Sequence, residues 1–506
     1  MTTRHPLTQA ILDHFGFPPT EEQMRAIACF SEFATDPYPR TAMVLRGCAG
    51  TGKTVLSSAI VRTLKAWGQK VQLLAPTGRA AKVFAQNSGQ SAFTIHRRIY
   101  REKTFAGVDG QFNLNDNLFA DTLFMVDEAS MIANLGLSGG QFGSGCLLDD
   151  LIQYVYEGGH NDRLMLIGDK AQLPPVGEEE SPALSTQMLE GYGLKVYECD
   201  LMEVLRQSAQ SGILYNATLI RQLITHDSVT QLPLVRFHGF ADIVMVPGDE
   251  LIDSLAGSYH RVGHDETIVI TRSNKRANVY NNGIRNMVLD REEELSRGDL
   301  LMIVKNNYYW TEKVKSEEQR LKNKEQKAGN TEAESPADNG GSSPLPSFLA
   351  NGDRAKVLRV RLNQEVYGFH FAQLLLQLPD YDDCEITVTA LLDTLQSEAP
   401  ALTHDQQQKL FLGVEEDYQD VRLKVDRMKS IRQDAYYNAL QVKYAYAVTG
   451  HKAQGGQWSH VYVDQGYMTD EMLTPDYIHW LYTAFTRATD KLFLVNWPKQ
   501  QTMPDD

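Results

Sequence analysis

The chain has 506 residues, a formal net charge of −15, 42% hydrophobic residues and five cysteines. That length exceeds one hydrophobic core and predicts about two to four domains; no apolar run could span a bilayer, and MTTRHPLTQAILDHFG lacks the layout of a secretory leader, which predicts a cytoplasmic protein with no membrane partner. The cysteines show no C-x-x-C spacing, which argues against zinc, iron–sulfur and disulfide frameworks, and the acidic balance points away from nucleic acid unless local islands carry the contact.

From the N-terminus to about Gln210, apolar strands alternate with amphipathic helices, the pattern of a mostly parallel α/β sheet. After the strand TAMVL, Gly47, Gly50, Thr51, Gly52, Lys53 and Thr54 form a phosphate loop of the type G-x-x-x-x-G-K-[ST], followed by a helical run. Glycines let backbone amides turn toward phosphates, Lys53 brings charge to the β- and γ-phosphates, and Thr54 offers a hydroxyl to Mg²⁺, so ATP and Mg²⁺ are the expected cofactors. HRRIYREK (His96–Lys103) is a basic island with an interleaved tyrosine, suited to a single strand or to a solvated helix face.

Asp127 and Glu128 end the strand TLFMV, where the first carboxylate would hold Mg²⁺ and the second would activate water. Gln172 follows the strand LMLIGD, within reach of a γ-phosphate or as a solvent-facing loop residue. Arg206 and Arg487 are candidate cations for the transition state, or surface ion-pair partners.

A second α/β region starts near ETIVITRSNKRANVYNNGIR, which holds the second basic island, and resumes near YAYAVTGHKAQGGQW. Between those halves, alternating runs with Asn-Gly and Gly-Asp turns predict a small antiparallel β-module. Within it, residues 312–344 read as a disordered or frayed helical loop.

In this order, from PTEEQMRAI to TAFTRATDKL, the motifs resemble superfamily 1 helicases, most closely the 5′-to-3′ RecD-like and Dda-like DNA helicases. The resemblance implies two RecA-like P-loop domains, residues 1–230 and residues 231–298 with 440–506. It also implies a β-hairpin pin at about 100–118 and an SH3-like module at 299–439. It casts Gln23 as an adenine-reading residue, and Thr77, Gly78, Arg79, Thr94, His96, Thr449 and His451 as strand contacts. Gln172 becomes a sensor, Arg206 and Arg487 complete the ATP site, and Gln454 and Gly455 link strand to nucleotide. Phe105 and Phe112, flanking Asp109-Gly110, would sit on the pin, or on a hairpin packed against its own domain.

Two positions depart from the family pattern: Ala453 where serine is common, and Gln457 where glutamate is common. The implied function is an ATP-dependent helicase that translocates 5′-to-3′ on single-stranded DNA and unwinds forked DNA, with single-strand-binding or nuclease proteins as further partners. An RNA-directed motor, a nucleotide-gated binding switch and a motor subunit of a helicase–nuclease complex are the alternatives.

Overall fold

The computed structural model describes residues 5–102, 112–136, 143–158, 161–204, 211–225, 232–327, 345–346 and 348–504. Strands β1 (Thr41–Gly47), β2 (Lys70–Ala75), β3 (Ala92–Thr94), β6 (Thr122–Val126), β7 (Arg163–Gly168) and β8 (Lys195–Leu201) form a six-stranded parallel sheet in the order β3-β2-β6-β7-β1-β8. The short strands β4 (Tyr100–Glu102) and β5 (Phe112–Leu114) pair separately as an antiparallel hairpin. Helices cover both faces of the sheet, which is why the central strands are continuous apolar runs rather than alternating ones. Met43, Leu45, Leu73, Met125, Met165 and Ile167 join one core with the helices Pro6–Phe15, Glu21–Thr35 and Lys53–Ala66.

Register positions the chemistry. Arg46 pairs with Gly168 across β1 and β7, and Val126 pairs with Leu166 across β6 and β7. The turns that follow β1, β6 and β7 therefore leave the same carboxyl edge, where open α/β sheets hold ligands.

The chain then lays down β9 (Ile243–Val246) and β10 (Thr267–Thr271), forms a separate barrel, and returns. The barrel strands are β11 (Leu300–Ile303), β12 (Arg354–Val366), β13 (Phe369–Leu378), β14 (Cys384–Leu391) and β15 (Leu440–Tyr444), closed in that order. After the return, β16 (Ala447–Thr449), β17 (Trp458–Asp464) and β18 (Ala488–Val495) complete a second sheet, β16-β10-β17-β18-β9. The expected class thus holds: two parallel α/β sheets, a hairpin in the first half and a closed five-stranded barrel, consistent with an SH3-like insertion, in the second.

The compact units are Met1–Arg272 with Val448–Asp506, holding both sheets, and Ser273–Ala447. Within the second unit the helix Asn274–Gly283 is tied to the chain leaving the barrel: Asn281 donates to Ala447 O at 3.0 Å and accepts from Ala447 N at 2.8 Å. Two details differ from the sequence reading. The barrel is not wholly antiparallel, since β14 and β15 run parallel. Between them lie the helices His404–Asp417 and Lys424–Arg432, unread in the sequence because only Leu410, Val414 and Ile431 are buried along them. Finally, the first part of the 312–344 segment belongs to a regular helix, Tyr309–Lys327; residues 328–344 lie outside the described residues.

Candidate nucleotide and strand site

The phosphate loop is shaped by backbone that only glycine adopts freely. Gly50 and Gly52 sit at φ +81° and +84°, and a Cβ on Gly47 would come within 2.8 Å of Thr51 Oγ1. Lys53 Nζ donates to the loop's own carbonyls, Gly47 O at 2.6 Å and Cys48 O at 3.0 Å. Thr54 is exposed at the start of the following helix, whereas the Thr51 hydroxyl is buried on Cys48 O at 2.9 Å.

Gln23, expected to read adenine, is only 1% exposed. Its amide oxygen accepts from Thr20 N as part of a helix capping box and its nitrogen donates to Thr51 O at 3.0 Å, so one end caps its own helix and the other braces the loop.

Asp127 and Glu128 stand at the end of β6. Asp127 Oδ1 accepts from Glu128 N at 2.9 Å. Burial, then the neighbouring Glu128 carboxylate, push Asp127 up to about 7 against the pull of Lys53. Glu128 holds φ +53°, a left-handed conformation that costs a non-glycine residue about 1–3 kcal/mol and is typical of functional turns. Gln172, past β7, is 6% exposed, and among the described residues its Oε1 has no hydrogen-bond partner. A left-handed glycine cradle, a carboxylate with little compensation and an orphaned buried carbonyl together fit a nucleotide with its cation.

The second sheet closes on this edge through the helix Pro475–Phe485. His479 Nδ1 meets Ala171 O at 2.9 Å, Thr483 Oγ1 accepts from Leu173 N at 2.8 Å, and Gln454 donates to Leu173 O at 2.6 Å. Tyr482 accepts from Ala49 N at 3.1 Å and donates to Asp169 Oδ2 at 2.7 Å. Beside these contacts lies a cavity of about 940 Å³ lined by Gly47, Cys48, Asp169, Met202, Arg221 and His479.

Arg487 is not brought to the phosphate loop. It is 3% exposed and donates to Thr483 O, Gly456 O and Thr486 Oγ1 at 3.1–3.2 Å, satisfied within its own half of the cleft. Arg206 lies outside the described residues. The arginine that does reach the loop is one the sequence reading missed: Arg221, on the helix Gly212–Thr225, donates to Cys48 Sγ. No local pattern marks it, because its partner is 173 positions away.

On the strand side, Thr77 and Thr94 each cap a helix, accepting from Ala80 N at 3.2 Å and Arg97 N at 3.3 Å. Gly78 begins the first of those helices. Arg79 crosses to the second sheet's loop instead of standing open to a strand: it donates to Gln457 O and its guanidinium lies 4.2 Å from the Trp458 ring centre. Gly455, at φ +70°, packs so closely that a Cβ would lie 3.2 Å from Thr77 Oγ1. Gln454 and Gly455 thus touch the turn after β7 and the Thr77 turn, not the phosphate loop. Desolvation lowers His96 to about 4, so its imidazole is neutral near pH 7. Thr449 and His451 line a cavity of about 370 Å³ together with Pro175, Arg272 and Trp480.

Of the segment expected to form the pin, β4 and β5 pair antiparallel, with Phe112 opposite Glu102 through its backbone; Phe105 lies outside the described residues.

Residues 20–226 match the family model of an AAA domain, and residues 444–495 that of a UvrD-like helicase C-terminal domain. The ATP-dependent RecD2 DNA helicase of Deinococcus radiodurans is 33% identical over 135 residues, 26% of this chain and 16% of that protein. An uncharacterized protein of Methanocaldococcus jannaschii is 33% identical over 169 residues, 31% of this chain and 13% of its own length. The chain thus spans under a fifth of the length of these relatives. An uncharacterized protein of Acanthamoeba polyphaga mimivirus is 23% identical over 88% of this chain and 94% of its own. A crystal structure of Pif1 helicase from Bacteroides with ADP-AlF3 and ssDNA aligns over 97% of this chain and 95% of that one, at 14% identity and a TM-score of 0.45, too loose to carry argument. The AAA match takes in the phosphate loop and the strand-end carboxylates, the UvrD-like helicase match takes in Arg487, and with the RecD2 stretch they make the chain similar to RecD-like helicases of superfamily 1.

Proposed function

We propose that the protein is an ATP-dependent DNA helicase that moves 5′-to-3′ along a single strand and opens forked duplex. The observation that carries the reading is the convergence, at one sheet edge, of the phosphate loop, the Asp127–Glu128 pair and Gln172, with a helix of the second sheet hydrogen-bonded to the same turns.

In this reading the Gly50–Thr54 amides and Lys53 hold the β- and γ-phosphates, Lys53 exchanging loop carbonyls for phosphate oxygens. Thr54 and Asp127 would hold Mg²⁺, which supplies neutralising charge at the phosphates. Glu128 takes the proton of the attacking water, and Gln172 orients that water through its unpartnered carbonyl. Arg206 and Arg487 complete the ATP site; for Arg487 that requires release from Gly456 O and Thr483 O when nucleotide enters. The 455–458 loop contacts Thr77 and Arg79, so such a movement would be felt directly where a strand is to be held.

The test is strand separation on matched duplexes with a 5′ or a 3′ single-stranded tail, in DNA and in RNA. ATP-dependent opening from the 5′ DNA tail is expected. Opening from the 3′ tail alone would overturn the direction, preference for RNA would favour an RNA motor, and hydrolysis without any opening would favour a switch or a partner-dependent subunit.

A further inference from the structure

Tyr482 is 1% exposed, yet its hydroxyl is engaged on both sides by elements remote in sequence. Ala49, whose amide it accepts at 3.1 Å, is 433 positions away and lies inside the phosphate loop. Asp169, to which it donates at 2.7 Å, is 313 positions away and begins the turn that carries Gln172. Asp169 in turn organises that turn, its Oδ1 accepting from Ala171 N at 3.0 Å and its carbonyl from Gln172 N at 3.2 Å. Burial, and next the Asp169 carboxylate, push the phenol well up, so the hydroxyl stays protonated and the direction of donation is fixed.

Docking of the helix does not depend on this hydroxyl alone, since His479 and Thr483 on the same helix each bind the Ala171–Leu173 turn, and Gln454, from another segment, bonds Leu173 O as well. A core tyrosine serving stability alone needs one partner for its hydroxyl. This one joins the loop that receives phosphate to the turn that carries the orphaned glutamine.

We propose that Tyr482 is a positioning residue for ATP turnover, its hydroxyl setting the Ala49 amide and the Asp169–Gln172 turn in one register from the second motor domain. The proposal rests on the helicase reading above. Strand engagement displaces the second domain's loops, and Tyr482 carries that displacement to the phosphate loop.

The experiment is steady-state ATP hydrolysis with and without single-stranded DNA, for wild type, Tyr482→Phe, Asp169→Asn and the double variant, alongside thermal melting. Tyr482→Phe keeps the ring and removes one hydroxyl. It should lower strand-stimulated kcat about tenfold, the scale of one buried hydrogen bond, while KM for ATP moves less than about twofold, as expected when an interaction matters to turnover rather than to binding. Asp169→Asn should reproduce the loss, and the double variant should be no slower than the slower single one, because both changes break the same link. Unchanged kcat with a lowered melting temperature in Tyr482→Phe would make the hydroxyl structural and overturn the proposal. So would a raised KM at unchanged kcat, or additive losses in the double variant. Wild-type hydrolysis indifferent to DNA would overturn the helicase reading itself, and the proposal with it.

Discussion

Two carboxylates, one in each compact unit, show how differently the molecule treats charge. Asp299, at the entrance to the barrel, is fully buried and accepts from Arg285 Nε and Nη2, Arg291 Nη1, Ser296 N and Tyr446 OH, all within 3.1 Å. Asp127, at the carboxyl end of β6, accepts from Glu128 N and faces a second carboxylate. The first is compensated by the fold and the second is held for something that binds. The same contrast runs through the neighbours: Glu128 keeps a strained backbone and Gln172 an orphaned carbonyl at the motor edge, whereas Arg285 and Arg291 beside Asp299 are ion-paired. Charge that is compensated stabilises; charge left uncompensated in an ordered cleft marks the place where chemistry supplies the partner.

Breaking the motor side should produce the largest loss of activity with the least loss of fold. Lys53→Ala and Glu128→Gln are expected to reduce strand-stimulated hydrolysis by about 10²–10⁴-fold, the range for a general base or a phosphate-stabilising charge, with melting temperatures near wild type. Breaking the barrel side should do the reverse. Asp299→Ala leaves Arg285 and Arg291 uncompensated and should cost about 3–5 kcal/mol in denaturant unfolding of the 273–447 unit.

Gln172→Met sharpens the comparison because it removes a buried orphan carbonyl, a group whose desolvation costs about 1–3 kcal/mol. Turnover should fall about tenfold or more, while the melting temperature stays level or rises. A fall in both would show that Gln172 is structural.

A further effect is one of pH, in the barrel. Asp353 is buried with Ala350 N and Tyr381 OH on Oδ2, and burial pushes its carboxyl up to about 7. Its protonated form is favoured by folding, so its contribution is full below about pH 4, where the unfolded carboxyl is protonated too, declines as pH rises to about 7, and is flat beyond. Asp353→Asn should remove that slope from the unfolding free energy; a slope unchanged by the substitution would contradict the assignment.

How much of this could be read from sequence depends on the range of the interaction. The phosphate loop and the strand-end carboxylates are local, their chemistry and backbone geometry set by a few adjacent residues, and they were legible. The barrel was legible in its turns and alternation but not in its closure, because the helices at His404–Asp417 and Lys424–Arg432 bury too few apolar positions to show a periodic face. Arg79 reads as a strand contact from its motif and stacks on Trp458 in the folded chain. Tyr482 and Arg221 carried no signal, since a tyrosine on an apolar helix face and an arginine on a surface helix gain meaning only when folding brings Ala49 and Cys48 beside them.

The central claim, that the uncompensated edge of the first sheet turns over ATP in response to a strand, is tested most directly by measuring Mg²⁺-dependent ATP hydrolysis with and without single-stranded DNA. The account requires strand-dependent turnover in wild type that Glu128→Gln loses while retaining nucleotide binding. Hydrolysis that is absent, indifferent to the strand, or undiminished by Glu128→Gln would contradict it.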